Sequence, residues 1–156
     1  MQEQRIEPNR KKGHLTFRIT AALFILSAVF EIISIDTETI LFGAIRTGTI
    51  VIVYHLFYIV LFAALGFGIW HAKKWGYNLV FVATAVYTLD KIQFLLNQQA
   101  IETLFAQATA GYESALQAQG ITAALFMQSI ALMTVVVIVC WWGFAWYTYW
   151  RRDYFK

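Results

Sequence analysis

Four long apolar runs, separated by shorter polar intervals, are the main feature of the sequence. They cover residues 15–35, 50–70, 75–96 and 121–150. A helix needs about 20 apolar residues to cross the hydrocarbon core of a bilayer, so each run is long enough for one span. The last run would reach about 45 Å as a helix and must tilt or extend beyond the hydrocarbon. The pattern predicts an all-α integral membrane protein whose four transmembrane helices form an antiparallel bundle.

The polar intervals define the rest of the organisation. Residues 1–14 hold the single proline, Pro8, and four basic residues, and we expect them to form a cytoplasmic arm. Residues 36–49 connect the first two runs, Lys73 and Lys74 mark a tight turn, and residues 151–156 form a basic tail. Because 156 residues are too few for two domains, residues 15–150 are predicted to form a single transmembrane domain.

The interval from residue 97 to residue 120 is the longest polar segment after the arm. Its apolar residues recur at the spacing of one helix face: Ile101, Leu104, Phe105, Ala108, Tyr112, Ala115 and Leu116. We therefore predict one amphipathic helix on the outer surface, between spans three and four.

Composition agrees with a membrane location and excludes several functions. Hydrophobic residues make up 60% of the chain and charged residues 13%, and the mean hydropathy is +0.59, far from the values of a soluble domain. The one cysteine, Cys140, cannot form an internal disulfide or a CxxC motif. The sequence has no phosphate loop, dinucleotide fingerprint, nucleophile elbow or zinc-protease motif. It indicates no metal site and does not identify a cofactor.

The basic residues indicate an orientation. They lie at the ends of apolar runs, a pattern typical of contact with lipid headgroups, so we expect the bilayer and no nucleic acid as a partner. Ten of the twelve lie near the chain ends or between runs two and three, and Arg46 and Lys91 lie on the other side. Because Lys and Arg are enriched in cytoplasmic loops, both termini are predicted to be cytoplasmic. The same orientation places four tryptophans at the cytoplasmic membrane interface, where the amphipathic indole ring is stable: Trp70, Trp75, Trp146 and Trp150.

Three titratable side chains lie inside the runs, where a charge near the centre costs roughly 2.5–3.5 kcal/mol. At the rise of an α-helix, Glu31, His55 and Asp90 lie about 6, 7.5 and 9 Å below the outer boundary, on three different helices. Glu31 shares a helix face with small and polar residues, and Asp90 shares one with Tyr87. Such faces pack inward. We predict a polar ligand-binding pocket, open to the outer leaflet, formed by Glu31, His55, Asp90 and Tyr87.

The fourth run carries a comparable stripe, which would complete a pocket between four helices: Ser129, Met133, Val136, Cys140, Gly143 and Tyr147. Two carboxylates and an imidazole suit the binding of a cation, the relay of protons or the binding of an organic cation. Two alternatives remain open. In the first, Glu31 and Asp90 lie in the headgroup region, and Asp90 beside Lys91 forms a solvated helix end. In the second, the polar residues join helices to one another without binding a ligand.

Three classes of function follow from this pattern. The first is a small polytopic protein that binds an ion or small ligand in the outer-leaflet pocket, as an oligomeric transporter or channel. The second is an accessory or assembly subunit of a larger membrane complex. The third, and least favoured, is a small membrane enzyme that acts on a lipid-like substrate. The first class favours a homo-oligomer, because four helices leave little room for a pathway, and the second requires other membrane subunits.

The run of spans and the turn from Gly68 to Gly76, Gly-Ile-Trp-His-Ala-Lys-Lys-Trp-Gly, resemble those of many small four-span bacterial inner-membrane proteins. The resemblance implies a location in the bacterial inner membrane. It covers a short segment and carries no residue roles.

Overall fold

A computed structural model describes residues 13–112, 118, 120 and 122–156. It contains the helices α1 (His14–Ile33), α2 (Thr49–Trp70), α3 (Lys74–Leu96), α4 (Gln98–Ala108) and α5 (Ala123–Trp150), the strands β1 (Thr39–Leu41) and β2 (Ala44–Arg46), and a 3₁₀ turn at Arg152–Tyr154. Helices α1, α2, α3 and α5 are long and apolar enough to cross a membrane. Four helices of the predicted length and apolar character are therefore confirmed, and their ends lie within two residues of the ends of the four apolar runs.

Two sequence-based expectations fall partly outside the described residues. The proposed arm over residues 1–14 overlaps the described part of the chain only at Gly13 and His14, and His14 already belongs to α1. Of the amphipathic helix proposed between residues 97 and 120, the structure describes α4, whose Ile101 is buried and whose Phe105 lies 4.4 Å from the ring of Phe126 on α5. Residues 113–117, 119 and 121 lie outside the described residues.

Helix α1 packs along α2 over a longer stretch than any other pair of helices among the described residues. Gly66 allows the approach, because a Cβ atom there would lie 2.6 Å from Ile25 and 3.0 Å from the carbonyl oxygen of Ala21. Leu65, the preceding residue, is fully buried. The absence of a side chain at Gly66 thus lets the two backbones approach and bury a continuous apolar seam.

A pair of glycines joins α2 to α3. A Cβ atom on Gly76 would lie 2.6 Å from the carbonyl carbon of Gly68, so neither position accepts a side chain without a backbone shift. The connecting turn places Ala72 at a φ of 52°, in the left-handed region. The two helices are therefore in backbone contact next to their connecting turn.

Helix α5 contacts the other spans mainly through aromatic rings. Trp141 stacks on Tyr87 of α3 with ring centroids 5.0 Å apart and lies 5.3 Å from Phe24 of α1. Ala145 and Thr148 are buried, whereas Met133, Val136 and Gly143 of the proposed polar stripe are exposed on the single chain. The inward face of α5 thus combines aromatic rings, among them Tyr147 of the proposed stripe, with the small buried side chains of Ala145 and Thr148.

The connector between α1 and α2 forms a β-hairpin, which the sequence analysis did not predict. Leu41 pairs with Ala44, and the two turn residues, Phe42 and Gly43, have φ values of 51° and 82°. Positive φ at both central residues is typical of the tight turns that match the twist of paired strands. The end of the molecule that carries β1 and β2 is called the hairpin end below.

The opposite end, which carries the α2–α3 turn and the chain terminus, is called the turn end. Here the basic tail is packed onto the helices. The Lys74 amide donates to the Lys156 carbonyl oxygen at 2.9 Å, and the Lys156 amide donates to the Ala72 carbonyl oxygen at 2.8 Å. Tyr154 stacks on Phe17 of α1 with ring centroids 4.5 Å apart. Burial raises the pKa of the Tyr154 hydroxyl, and the nearby Arg18 guanidinium offsets part of this rise.

Candidate functional site

Glu31 and His55 form a direct pair between α1 and α2 near the hairpin end. The Glu31 Oε2 atom lies 2.6 Å from the His55 Nδ1 atom. His55 is buried, whereas a quarter of the Glu31 side chain is exposed. The imidazole donates through Nδ1 in the tautomer or charge state that carries a proton there, and the Glu31 carboxylate oxygen then accepts. The pair satisfies two polar groups that would be costly to leave unpaired inside an apolar helix interface.

The second nitrogen of His55 faces the hairpin. Its Nε2 atom lies 3.3 Å from the Thr39 hydroxyl oxygen, and that hydroxyl is able to donate to it. His55 therefore connects α2 to α1 on one side and to the first residue of β1 on the other. Sequence analysis missed Thr39, because no spacing rule relates a connector residue to a helix residue sixteen positions later.

Asp90 of α3 forms a second polar cluster with Tyr54 of α2. The Tyr54 hydroxyl donates to the Asp90 carboxylate, with oxygen–oxygen distances of 3.2 and 3.1 Å to Oδ1 and Oδ2. The Lys91 ammonium lies 3.0 Å from Oδ2. Only 12% of the Asp90 side chain is exposed, against 28% of the Lys91 side chain. Asp90 is therefore turned inward, and the ammonium group of Lys91 reaches it from the more exposed side.

The two clusters lie side by side and face different neighbours. Tyr54 and His55 are consecutive residues of α2, with ring centroids 5.3 Å apart, yet one contacts α3 and the other α1. The structure thus distributes Glu31, His55 and Asp90 over two pairs. Within the described residues, no group of three His, Cys, Asp or Glu side chains is placed to hold a metal ion.

A cavity of about 540 Å³ opens between α2, α3 and the hairpin, next to the Asp90 cluster. Asp90, Tyr54 and Gln93 contribute polar groups to its wall. The rest of the wall is apolar or aromatic and includes Phe42, Val53, Phe57, Tyr58, Val86 and Leu89. A concave apolar wall with a few converging polar groups is typical of small-molecule sites. We call this space the hairpin cavity.

Gln93 fixes the hairpin over this cavity. Its side-chain Nε2 donates to the Ile40 carbonyl at 3.0 Å, and its Oε1 accepts from the Phe42 amide at 3.0 Å. The side-chain amide of Gln93 therefore bonds to the hairpin backbone as a neighbouring strand would. The signal was present in the sequence, because Gln93 lies three residues after Asp90 and hence on the same face of α3.

Tyr87, the fourth predicted ligand-binding residue, faces a different space. It lines a crevice of about 440 Å³ between α1 and α5, together with Thr20, Ser27, Cys140 and Trp141. Its ring also lies 5.1 Å from the Lys91 ammonium, close enough for a cation–π contact. Tyr87 thus contacts Lys91, which pairs with Asp90, and it does not line the hairpin cavity.

Sequence analysis did not single out Tyr54 and Tyr58. Their rings lie 4.9 Å apart on α2, and both line the hairpin cavity. Their spacing of four residues places them on one helix face, a signal that was available but is common in apolar helices.

Comparison of this chain with protein-family models, with curated proteins and with solved structures finds no match.

Proposed function

We propose that the protein is a small polytopic membrane protein that binds an amphipathic small molecule in the hairpin cavity. The observation that carries this proposal is the position of Asp90: a largely buried carboxylate held by Tyr54 at the edge of an apolar cavity of about 540 Å³. Cavities of this size accommodate drug-sized ligands. The polar edge would orient the head of the ligand, and the apolar wall would contact its body.

In this proposal the Glu31–His55 pair supports the site. It joins α1 to α2 directly beside Tyr54, and through Thr39 it joins both helices to β1. Because a binding site needs its contact residues held in place by neighbouring contacts, this pair would position the Tyr54 side and the hairpin side of the cavity. Tyr87 would act from the other face of α3 by positioning Lys91.

The finer architecture is part of the same proposal. We propose that the four spans form an antiparallel bundle, that α4 belongs to an amphipathic helix on the outer surface, and that both termini are cytoplasmic in a bacterial inner membrane. The turn end supports this orientation, since Lys73, Lys74 and Arg152 lie there and are exposed. The hairpin cavity would then open towards the outer leaflet, and transport through it would require a homo-oligomer.

Labelling of single cysteines tests the orientation. In a Cys140→Ala background, Glu38→Cys and Gln107→Cys should react with a membrane-impermeant maleimide added to intact cells. Lys73→Cys is the matched control and should react only after permeabilisation. Reaction of the Lys73→Cys variant alone in intact cells would show that the orientation is inverted.

Photolabelling tests the binding site. Two benzophenone probes of the same shape are used on the purified full chain in zwitterionic nanodiscs: one ends in trimethylammonium, the other in a tert-butyl group. Crosslinks of at least one probe should concentrate on Val53, Phe57, Val86 and Leu89. Val86→Trp, which fills the cavity, should reduce the labelling several-fold, whereas Val82→Trp, on an exposed position of α3, should not. Labelling spread evenly over the lipid-facing residues by both probes would refute the proposal.

A second candidate function is that of an accessory or assembly subunit. The observation in its favour is α5, in which none of residues 124–144 is buried in the single chain. Native mass spectrometry of the protein, gently extracted from its membrane, separates the two proposals. A defined complex with other proteins and an empty cavity would favour the accessory role, and a homo-oligomer with a bound small molecule would favour ligand binding.

A further inference from the structure

Lys91 reveals what kind of group the Asp90 cluster accepts. Its ammonium lies 3.0 Å from the Asp90 Oδ2 atom and lies over two aromatic rings, at 5.1 Å from the centroid of Tyr87 and 5.9 Å from that of Phe94. An ammonium that lies beside a carboxylate and over aromatic rings has the surroundings in which proteins bind organic ammonium ions. The protein's own lysine thus supplies a cation to this cluster.

Lys91 is also placed so that it can leave. Its side chain is more exposed than that of Asp90, and its flexible four-carbon stem allows the ammonium to move from the carboxylate into water at low cost. Asp90 has no comparable freedom, because both of its oxygens accept from the Tyr54 hydroxyl and its side chain is largely buried. The carboxylate would remain in place and take another cation.

The cavity next to Asp90 matches the rest of such a ligand. Tyr54, Phe57 and Tyr58 bring aromatic rings to its wall, and Asp90 is the charged residue among the described residues that line it. An anionic head would meet the carboxylate and be repelled, and a neutral head would leave the Asp90–Lys91 pair intact. Charge complementarity therefore favours a positively charged head attached to an apolar or aromatic body.

We propose that the hairpin cavity binds an amphipathic organic cation whose ammonium head replaces that of Lys91 on Asp90. This inference rests on the proposed function. It adds the class of ligand and the statement that the Lys91 ammonium competes with the ligand for Asp90. In the free protein Lys91 occupies the cation position, so the apparent affinity is reduced by the fraction of molecules in which that position is filled. Removing the Lys91 charge should tighten binding, and removing the Asp90 charge should weaken it.

The two benzophenone probes separate these statements. Equilibrium binding of each probe is measured on the full chain in zwitterionic nanodiscs, with empty nanodiscs subtracted. The trimethylammonium probe should bind at least about tenfold more tightly than its tert-butyl isostere. Asp90→Asn should abolish that preference, and Lys91→Met should raise the affinity for the cation roughly threefold or more. Asp36→Asn and Lys73→Met, both at exposed positions, are the matched controls and should change neither value.

A measurement on the unmodified protein guards against a variant that fails to fold. A water-soluble amine-acylating reagent should label Lys91 several-fold faster when the trimethylammonium probe is saturating, because the displaced ammonium is then free. Labelling of Lys73 should stay constant. If the cation binds without a change at Lys91, the displacement of Lys91 is refuted.

The remaining outcomes are distinct. If both probes bind the cavity equally and Asp90→Asn has no effect, the cavity binds ligands but the cation class is wrong. If neither probe binds a folded protein, the proposed function itself fails, and this inference fails with it.

Discussion

Glu31 on α1 and His55 on α2 face each other across the most extensive helix interface in the described part of the chain, with 2.6 Å between Oε2 and Nδ1. Both belong to helices apolar enough to cross a membrane. Each group therefore satisfies the other where an unpaired charge would be expensive. Because His55 also contacts Thr39, the pair links the two helices to the hairpin that covers the proposed binding cavity.

We expect Glu31 and His55 to be energetically coupled. Glu31→Gln and His55→Ala should each lower the free energy of unfolding by about 1–3 kcal/mol, because the first replaces a charge-assisted hydrogen bond by a neutral one and the second leaves the Glu31 carboxyl group without its partner. The double variant should lose less than the sum, with a coupling energy of about 1 kcal/mol or more. A double-mutant cycle of unfolding free energies in bicelles measures this. Glu38→Gln, at an exposed position, is the control. Strictly additive effects would show that the pair contributes no coupling.

The contact of Gly68 with Gly76 should make position 76 intolerant of any side chain. Gly76→Ala places a Cβ atom 2.6 Å from the Gly68 backbone, so the helices must separate, at a cost of about 1–3 kcal/mol. Gly143→Ala on α5 is the matched control, since nothing lies within 4 Å of its Cβ position. It should be neutral or stabilise the helix by up to about 1 kcal/mol. Thermal unfolding of both variants in detergent gives the comparison, and equal effects would contradict the close contact.

Gln93 should control the opening of the hairpin. Gln93→Leu removes the bonds to the Ile40 carbonyl and the Phe42 amide, each of which contributes about 1 kcal/mol. Hydrogen exchange of peptides covering residues 39–46 should accelerate several-fold, while exchange within α2 stays slow. Gln99→Leu, at an exposed position of α4, serves as the control. Unchanged exchange in the hairpin would show that strand pairing alone holds it.

Phe17 should anchor the chain terminus. It is fully buried and stacks on Tyr154, so Phe17→Ala should cost about 3–5 kcal/mol and release the tail. Leu15→Ala, two residues earlier and largely exposed, is expected to have little effect. Limited proteolysis at the basic tail, together with thermal unfolding, measures both consequences. A tail that stays protected in the Phe17→Ala variant would show that its backbone hydrogen bonds to the α2–α3 turn are sufficient.

Part of the candidate site was accessible from the sequence. Glu31, His55 and Asp90 stand out because charged groups are rare in apolar helices, and the structure finds each with a polar partner. The pairing itself was not accessible. Helix periodicity places side chains on a face but does not fix how far one helix is rotated against another, and a small rotation decides whether Asp90 faces His55 or Tyr54. Tyr54 was missed for the same reason.

The sequence by itself determined the number, length and boundaries of the four helices that are long and apolar enough to cross a membrane, because the bilayer requires about 20 apolar residues per helix and polar intervals end each run. Tertiary structure decided how the polar residues were distributed. Gly66 and Gly68 set how closely α1 and α3 approach α2, the rings of α5 filled the space proposed for a fourth polar stripe, and Gln93 fixed a hairpin over the gap between α2 and α3. Those outcomes depend on contacts between residues distant in sequence, and local pattern gives the face of a residue without giving its partner.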